Sequence, residues 1–371
     1  MARRVTTKAL WMAGAASIAV VALAAGVLCL TSGCASVGYL AQSVQGHLEI
    51  LNAAKPVAEW EADPATAEKL RARLVLSQQM RDFAVAELAL PDNASYRRYA
   101  QLDRSAAVWN VVAAPELSLK LETWCFPVVG CVGYRGYFDR EEAEAFAAQL
   151  RAQGLEVRVY GVPAYSTLGR LPGAYFADPL LSTFINYPEV ELARLMFHEL
   201  SHQLVYASGD TMFNESFATT VERFGSRRWM DAHANPAARA EYLAFDARRK
   251  DFRALVGRTR DALELLYKSD ASDAEKRAGK AALMQRMRED YAALRDGPWQ
   301  GYAGYDAWIA DANNASLGVL AAYTELVPAF ERLFEREGHD PARFYAEVNR
   351  LADLPKDARR EKLAALPSLN E

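Results

Sequence analysis

The sequence predicts an α+β fold that is mainly helical, with a small β-sheet in its first half and a helical C-terminal region. Most of the chain repeats apolar residues at helical spacing, whereas two stretches, within 108–119 and 136–162, have the pattern of strands. The 371 residues are 51% hydrophobic, so the chain can bury a large core. Its net charge of −4, with both signs mixed, gives no basic surface, and we expect no nucleic-acid partner.

Two helical segments are predicted before the sheet. The first, YLAQSVQGHLEILNAAKP, is amphipathic and stops at Pro56. The second follows Asp63-Pro64 and repeats apolar residues between charges as far as Leu88. Both segments therefore have one apolar face to bury.

The predicted sheet combines three strands and one helix. VWNVVAAPELSL is a strand that ends near Pro115, because proline interrupts a hydrogen-bonded ladder. A short strand at 136–138, the helix DREEAEAFAAQLRAQGL and the strand EVRVYGV then form a β-α-β unit, with Gly154 at the exit of the helix.

The C-terminal half is predicted to be helical. Two charged segments within 236–296 have helix-forming composition and opposite charges at helical spacing, as in an antiparallel hairpin. The stretch that follows, 299–338, is rich in aromatic residues.

The first 33 residues have the composition of a secretory signal peptide. Arg3, Arg4 and Lys8 precede an uncharged run that ends in Gly33-Cys34. This end resembles a bacterial lipoprotein box, which implies that Cys34 is lipidated and that 34–371 is the mature chain. The run is also long enough to span a bilayer, so an uncleaved anchor is the alternative.

The cysteines agree with export. The chain has four, of which Cys29 falls in the signal segment and Cys34 is the predicted acylation site. Cys125 and Cys131 remain as a pair in an oxidising compartment, where we expect a disulfide. Two free buried thiols are the alternative.

One predicted helix, at about 188–206, carries the chemistry. It contains His198-Glu199-Leu200-Ser201-His202, in which histidines at i and i+4 lie on one face and can bind a single metal ion. Glu199 lies close enough to act on a water molecule at that ion, and this H-E-x-x-H pattern is typical of zinc peptidases. Asn186 is the expected helix cap. The alternative is a solvated helix face with its histidines paired to carboxylates.

A second helix, within 210–222, offers the third ligand. Glu215 and Glu222 lie at i and i+7, on one face with Ala218, which is small enough for close helix packing. We predict Glu215 as the third ligand of one zinc ion, with a fourth position open for water. Glu222 and the neighbouring Asn214 are expected to support the ligands, Glu222 by accepting from an imidazole N–H. A surface salt bridge of Glu222 is the alternative.

These residues also carry a family resemblance. HELSH followed by NESFATTVE resembles the H-E-x-x-H…N-E-G-F-A-T-x-V-E pattern of zinc aminopeptidases within the gluzincins, with Ser216 where they have glycine and a shorter interval between the two parts. From WCFPVVGCVGYRGYF through VPAYSTLG to the C-terminal half, the chain resembles bacterial lipoproteins known as putative aminopeptidases. The resemblance implies a gluzincin-like core, with His198, His202 and Glu215 as ligands and Glu199 as the base.

The expected function is therefore zinc-dependent peptide hydrolysis, with aminopeptidase action implied by the resemblance. The alternatives are a zinc endopeptidase and an envelope lipoprotein that binds zinc without turnover. The intact base Glu199 favours an enzyme. By resemblance to sorted lipoproteins, Ala35 after Cys34 implies the periplasmic face of the outer membrane, with the lipid at Cys34 as the membrane anchor.

Further residues are expected around a bound peptide. Tyr323 is our first choice for stabilising the oxyanion, followed by Tyr302 and Tyr305, with core packing as the alternative for each. Tyr165 and Ser166 follow the strand EVRVYGV, where an extended segment could bind peptide by β-addition or form a plain turn.

The Cys34→Ser variant should not be lipidated, because it lacks the acylated thiol, and should accumulate as an uncleaved precursor. Metabolic labelling with a fatty acid measures this, with wild-type protein as the positive control. Label in the variant would place the anchor elsewhere.

Overall fold

A computed structural model describes residues 34–126, 130–166, 173–323 and 325–367, and the predicted signal peptide lies outside these residues. The chain divides into two compact units, residues up to Ile50 and residues from Leu51 onward. Helix α1 (Cys34–Ala53) accounts for the described part of the first unit.

The second unit contains the sheets and the remaining helices. Its strands are β1 (Lys55–Pro56), β2 (Arg98–Ala100), β3 (Val108–Pro115), β4 (Trp124–Phe126), β5 (Gly130–Val132), β6 (Arg135–Tyr137), β7 (Leu155–Val162) and β8 (Leu180–Leu181). Its helices are α2 (Val57–Ala62), α3 (Glu68–Ala86), α4 (Arg140–Ala152), α5 (Glu189–Ser201), α6 (Thr211–Ala232), α7 (Pro236–Lys268), α8 (Asp273–Asp296), α9 (Asp306–Ala310), α10 (Asn314–Ala322), α11 (Val327–Arg336), α12 (Pro341–Ala352) and α13 (Lys356–Ala364). The predicted α+β class with mainly helical content is confirmed.

The main sheet has the order β6-β3-β7, and all pairings are antiparallel. Strand β3 is central and almost fully buried, which suits its run of valine and alanine. Helix α4 connects β6 to β7 and packs on the sheet, with Asp139 accepting from the Glu142 N–H as its N-cap. The predicted β-α-β unit is therefore present, with β3 between its two strands.

Helices α5 and α6 form the centre of the second unit. Phe197 on α5 stacks against Phe83 of α3 at a centroid distance of 6.1 Å. A Cβ added to Gly225 on α6 would lie 2.9 Å from the Phe197 ring, so this glycine permits the close approach of the two helices. The predicted cap at Asn186 is wrong, because Pro188 occupies the N-cap position and no side chain caps the helix.

Helices α7 and α8 pack against each other across a short connection. Asn235 caps the first helix, and Ser272 and Glu275 form a reciprocal capping box at the start of the second. Their apolar faces enclose a cluster around Leu263 and Met287, which continues into α9 and α10.

Helices α11 and α12 pack an aromatic cluster around Phe330 and Phe344 against α6, and α13 packs on these two helices. Arg359 on α13 is 5% exposed and contacts Asp210, the N-cap of α6, at 2.6 Å. Arg360 pairs with the same carboxylate. The last helix of the chain thus holds the start of the helix that carries Glu215.

None of the helices in the described part of the chain combines the length and the apolar composition that crossing a bilayer requires.

Replacing Arg359 with methionine should lower the free energy of unfolding by about 2–4 kcal/mol, because it removes one partner of a buried ion pair and leaves three carbonyls without their donor. The matched variant Arg360→Met, at a partly exposed partner of Asp210, should cost less than about 1 kcal/mol. Urea unfolding measures both. A urea midpoint of Arg359→Met equal to that of the wild type would show that the Arg359 pair does not stabilise the fold.

Candidate metal centre

Three side chains from α5 and α6 converge on one point. The ligand atoms of His198, His202 and Glu215 all lie within 4.8 Å of one another. His198 Nε2 is 3.3 Å from His202 Nε2 and 3.2 Å from Glu215 Oε2, and His202 Nε2 is 3.7 Å from the same oxygen. Two imidazoles and a carboxylate in this arrangement can hold a divalent metal ion.

The connection between the helices sets this geometry. Helix α5 ends at Ser201, earlier than predicted, and His202 occupies its C-cap. Asn214 accepts from the Ala207 N–H at 2.8 Å and donates to the Ala207 carbonyl at 2.9 Å. Asn214 thus fixes the backbone of the segment that connects α5 to α6. This turn of the chain brings Glu215 back toward the two histidines.

Glu222 supports His198 from the other side of the ring. Its Oε2 lies 2.9 Å from His198 Nδ1, and its Oε1 accepts from Arg194. Burial opposes the charge on Glu222, but Arg194 and His198 outweigh it and lower the pKa of Glu222 to about 2. A carboxylate at Nδ1 leaves Nε2 of His198 to bind a metal ion.

The electrostatics of the cluster fit a metal cation. Burial opposes charge on His198, yet its bonds to Glu215 and Glu222 raise the pKa of His198 to about 10. Burial likewise opposes the charge on Glu215, but His202 and His198 lower the pKa of Glu215 to about 2. The two carboxylates thus stabilise a positive charge between them. A bound divalent ion would supply this charge and would displace the proton from His198.

Glu199 has the opposite electrostatics. Burial raises the pKa of Glu199, the positive charges of His198 and His202 lower it, and Glu215 and Asp178 raise it further. A carboxyl group with a raised pKa beside a metal-binding cluster is suited to accept and return a proton.

Tyr323 lies over the cluster, at the C-cap of α10. Its ring is stacked on that of His198 with centroids 6.4 Å apart, and the charge of Glu215, together with burial, raises the pKa of Tyr323 far above its usual value. Asn314 anchors α10 to the sheet by donating to the carbonyls of Pro115 and Glu116. Ser216, the residue in the glycine position, accepts from the Leu326 N–H just after Tyr323.

Two further tyrosines near the cluster were missed by sequence reasoning. Burial and the charge of Glu215 raise the pKa of Tyr134, and burial raises that of Tyr160 to about 12, with a smaller contribution from Glu215. Tyr160 lies opposite Asn110 on β3, whose amide is 3.5 Å from its hydroxyl. The sequence signal that could have indicated Tyr160 is the alternation of side-chain type along β7. This alternation does not tell which face of the strand packs toward the helices that carry the ligands.

The other residues expected around a peptide have different neighbours. Tyr165 packs edge-on against Phe138 at 5.1 Å, and the Ser166 hydroxyl donates to Asp178 at 2.9 Å. Tyr305 stacks on Phe252 at 4.0 Å, and Tyr302 lies under the Arg248 guanidinium. Of the three tyrosines proposed for the oxyanion, the structure thus brings Tyr323 to His198.

The predicted disulfide between Cys125 and Cys131 is confirmed, and it links the paired strands β4 and β5. Gly130 in this hairpin has a φ of +77° and approaches the α5–α6 connection so closely that a Cβ would lie 2.7 Å from the Ser208 hydroxyl. The hairpin therefore packs against the segment that joins His202 to Glu215.

We expect Glu215→Ala to weaken divalent-metal binding by more than about 100-fold, because it removes a direct ligand. Glu222→Ala should cost about 10–100-fold, since it removes only the partner of His198 Nδ1. Competition with a chromophoric chelator measures both, and circular dichroism checks folding. Wild-type affinity in the Glu215 variant would remove Glu215 from the ligand set.

Comparison with known proteins adds the family. Searches for similar curated proteins and for similar solved structures gave no match. One family model, described as "Putative aminopeptidase", matches residues 38–363, which include every residue of the metal centre. The chain therefore belongs to the putative aminopeptidase family.

Proposed function

We propose that this protein is a zinc-dependent aminopeptidase that acts on peptides in the cell envelope. The observation that carries the proposal is the convergence of His198, His202 and Glu215, with the partly buried carboxyl group of Glu199 within electrostatic reach of all three. Family membership supports peptide hydrolysis and a peptide substrate.

The donor set fits zinc, which prefers tetrahedral sites of imidazole nitrogen and carboxylate oxygen. A zinc ion held by these three residues would act as a Lewis acid toward the scissile carbonyl and toward a water molecule. Glu222 keeps the His198 ring in the tautomer that presents Nε2. The lowered pKa of Glu215 keeps its carboxylate negatively charged, and this charge stabilises such a cation.

Glu199 performs the proton transfers. Its carboxylate accepts a proton from the attacking water and then gives it to the leaving amine, which restores the base for the next cycle. Burial raises its pKa, and this strengthens the carboxylate as the acceptor of that proton. Tyr323 stays protonated beside the cluster, because Glu215 and burial raise its pKa, and it can donate a hydrogen bond to the developing oxyanion.

Strand β7 is placed to align a peptide. Among the described residues its one strand partner is β3, and the Asn313 amide donates to its Val157 carbonyl at 3.2 Å, so an added strand would pair with the part of the other edge toward Val162. Tyr160 on this strand lies within electrostatic reach of Glu215. A peptide extended along β7 would therefore pass the metal centre, with Tyr165 and Ser166 just beyond the end of the strand.

We propose the lipid anchor at Cys34 and a site at the periplasmic face of the outer membrane on sequence grounds alone. An aminopeptidase and an endopeptidase differ in whether a free α-amino group is required. Turnover of aminoacyl-arylamides by the soluble chain, loss of turnover with a chelator, and inactivity on N-blocked quenched peptides together test the aminopeptidase assignment. A zinc-loaded protein inactive on both substrate types would favour the binding lipoprotein.

Glu199→Gln should leave the fold and the metal content unchanged, because Glu199 is not a ligand and the amide is nearly isosteric. We expect kcat to fall about 10²–10⁴-fold through loss of the base, with little change in peptide affinity. Steady-state kinetics with parallel metal analysis measures this. A fully metallated variant with wild-type rates would rule out Glu199 as the base.

A further inference from the structure

Tyr96 is an unusual residue in two independent respects. Its φ is +63°, a left-handed conformation that is rare for a bulky side chain. It is also 1% exposed, and its hydroxyl makes no hydrogen bond with any residue that the structure describes. Phenylalanine would avoid the burial of an unpaired hydroxyl, so the presence of tyrosine calls for a partner that forms at another stage.

The surrounding contacts hold Tyr96 in this conformation. Its N–H donates to the Asp178 carbonyl at 2.7 Å, and its carbonyl accepts from Gln78 at 3.0 Å. The buried guanidinium of Arg81 donates to the carbonyls of Ser95, at 2.9 Å, and Asn93, at 3.1 Å. Strained backbone that is fixed from several sides is found preferentially at functional sites.

This segment is bonded to the chain just beyond the end of α5. Gln203, four residues after Glu199, donates to the Ser95 hydroxyl at 3.0 Å and to Asp178 Oδ2 at 3.2 Å. Tyr96 and Gln203 thus both bond to Asp178. The charge of Glu199 adds to the effect of burial in raising the pKa of Tyr96, so the phenol lies within electrostatic reach of that carboxylate.

We propose that Tyr96 is a positioning residue for Glu199, whose carboxylate accepts a hydrogen bond from the Tyr96 hydroxyl in the substrate complex. This bond fixes which carboxylate oxygen faces the water, and the inference rests on the proposed role of Glu199 as base. Catalytic hydrogen bonds are often open in the free enzyme and shorten when substrate binds. The phenol only donates, and its proton remains on the oxygen throughout.

The test is Tyr96→Phe in the full chain, loaded with zinc. We expect kcat to fall about 10- to 100-fold with KM and metal content unchanged, because a hydrogen bond to a charged group is lost. The melting temperature should not fall, because the variant buries no unpaired hydroxyl. A lower melting temperature and a higher KM, with kcat unchanged, would mark a purely structural residue and overturn the proposal.

Tyr99→Phe is the matched control. Tyr99 is also 1% exposed, but its hydroxyl donates to Gln101 at 2.6 Å. This variant should show the opposite pattern, a lower melting temperature with unchanged kcat. An equal loss of kcat in both variants would assign the effect to core packing and overturn the proposal.

A second measurement does not depend on turnover. The visible absorption bands of Co²⁺ bound in place of zinc report the geometry of the metal centre. This geometry includes the water molecule on which Glu199 is proposed to act. With a non-hydrolysable peptide analogue bound, Tyr96→Phe should shift these bands in the wild-type background and add nothing in the Glu199→Gln background, since the two residues act as one unit.

The outcomes separate the two hypotheses. Turnover by the wild type, with unchanged kcat and unchanged bands in Tyr96→Phe, would overturn the inference alone. Absence of turnover in the wild type would refute the proposed function, and the Co²⁺ bands would then decide on Tyr96. Shifted bands would support its positioning role, and unchanged bands would overturn it.

Discussion

The contacts of the His198 imidazole with Glu222 at one nitrogen and Glu215 at the other are the interactions on which the site depends. They require α5 and α6 to lie close together, which Gly225 permits against Phe197. They also place two largely buried carboxylates on opposite sides of one imidazole, and such an arrangement is stable only with compensating positive charge. Arg194 supplies it for Glu222, and the histidines supply it for Glu215.

Distant parts of the chain hold the connection that creates these contacts. Asn214 fixes it at Ala207, Arg359 near the C-terminus holds the cap residue Asp210, and the disulfide hairpin packs against Ser208. Each contact restricts the short path from His202 to Glu215. A short connection and support from three sides give the ligands little freedom, which suits a preorganised metal centre.

Similar side chains take different roles here because their surroundings differ. The pKa of Glu215 and of Glu222 is held near 2 by adjacent positive charges, so both remain anionic. Burial dominates at Glu199 and raises its pKa, which suits the proton transfer proposed for it. The tyrosines that surround the cluster, Tyr134, Tyr160 and Tyr323, keep their protons and remain donors.

The sequence by itself determined the helical content, the three strands of the main sheet, the disulfide and the candidate ligands. Each of these depends on local periodicity or on spacing within one or two adjacent helices, as with His198 and His202 at i and i+4. Only the tertiary structure decided that Tyr323 reaches His198 while Tyr305 packs on Phe252, and that Tyr96 and Gln203 both bond to Asp178. Those contacts join residues far apart in the chain, and packing of whole elements, which no local pattern encodes, brings them together.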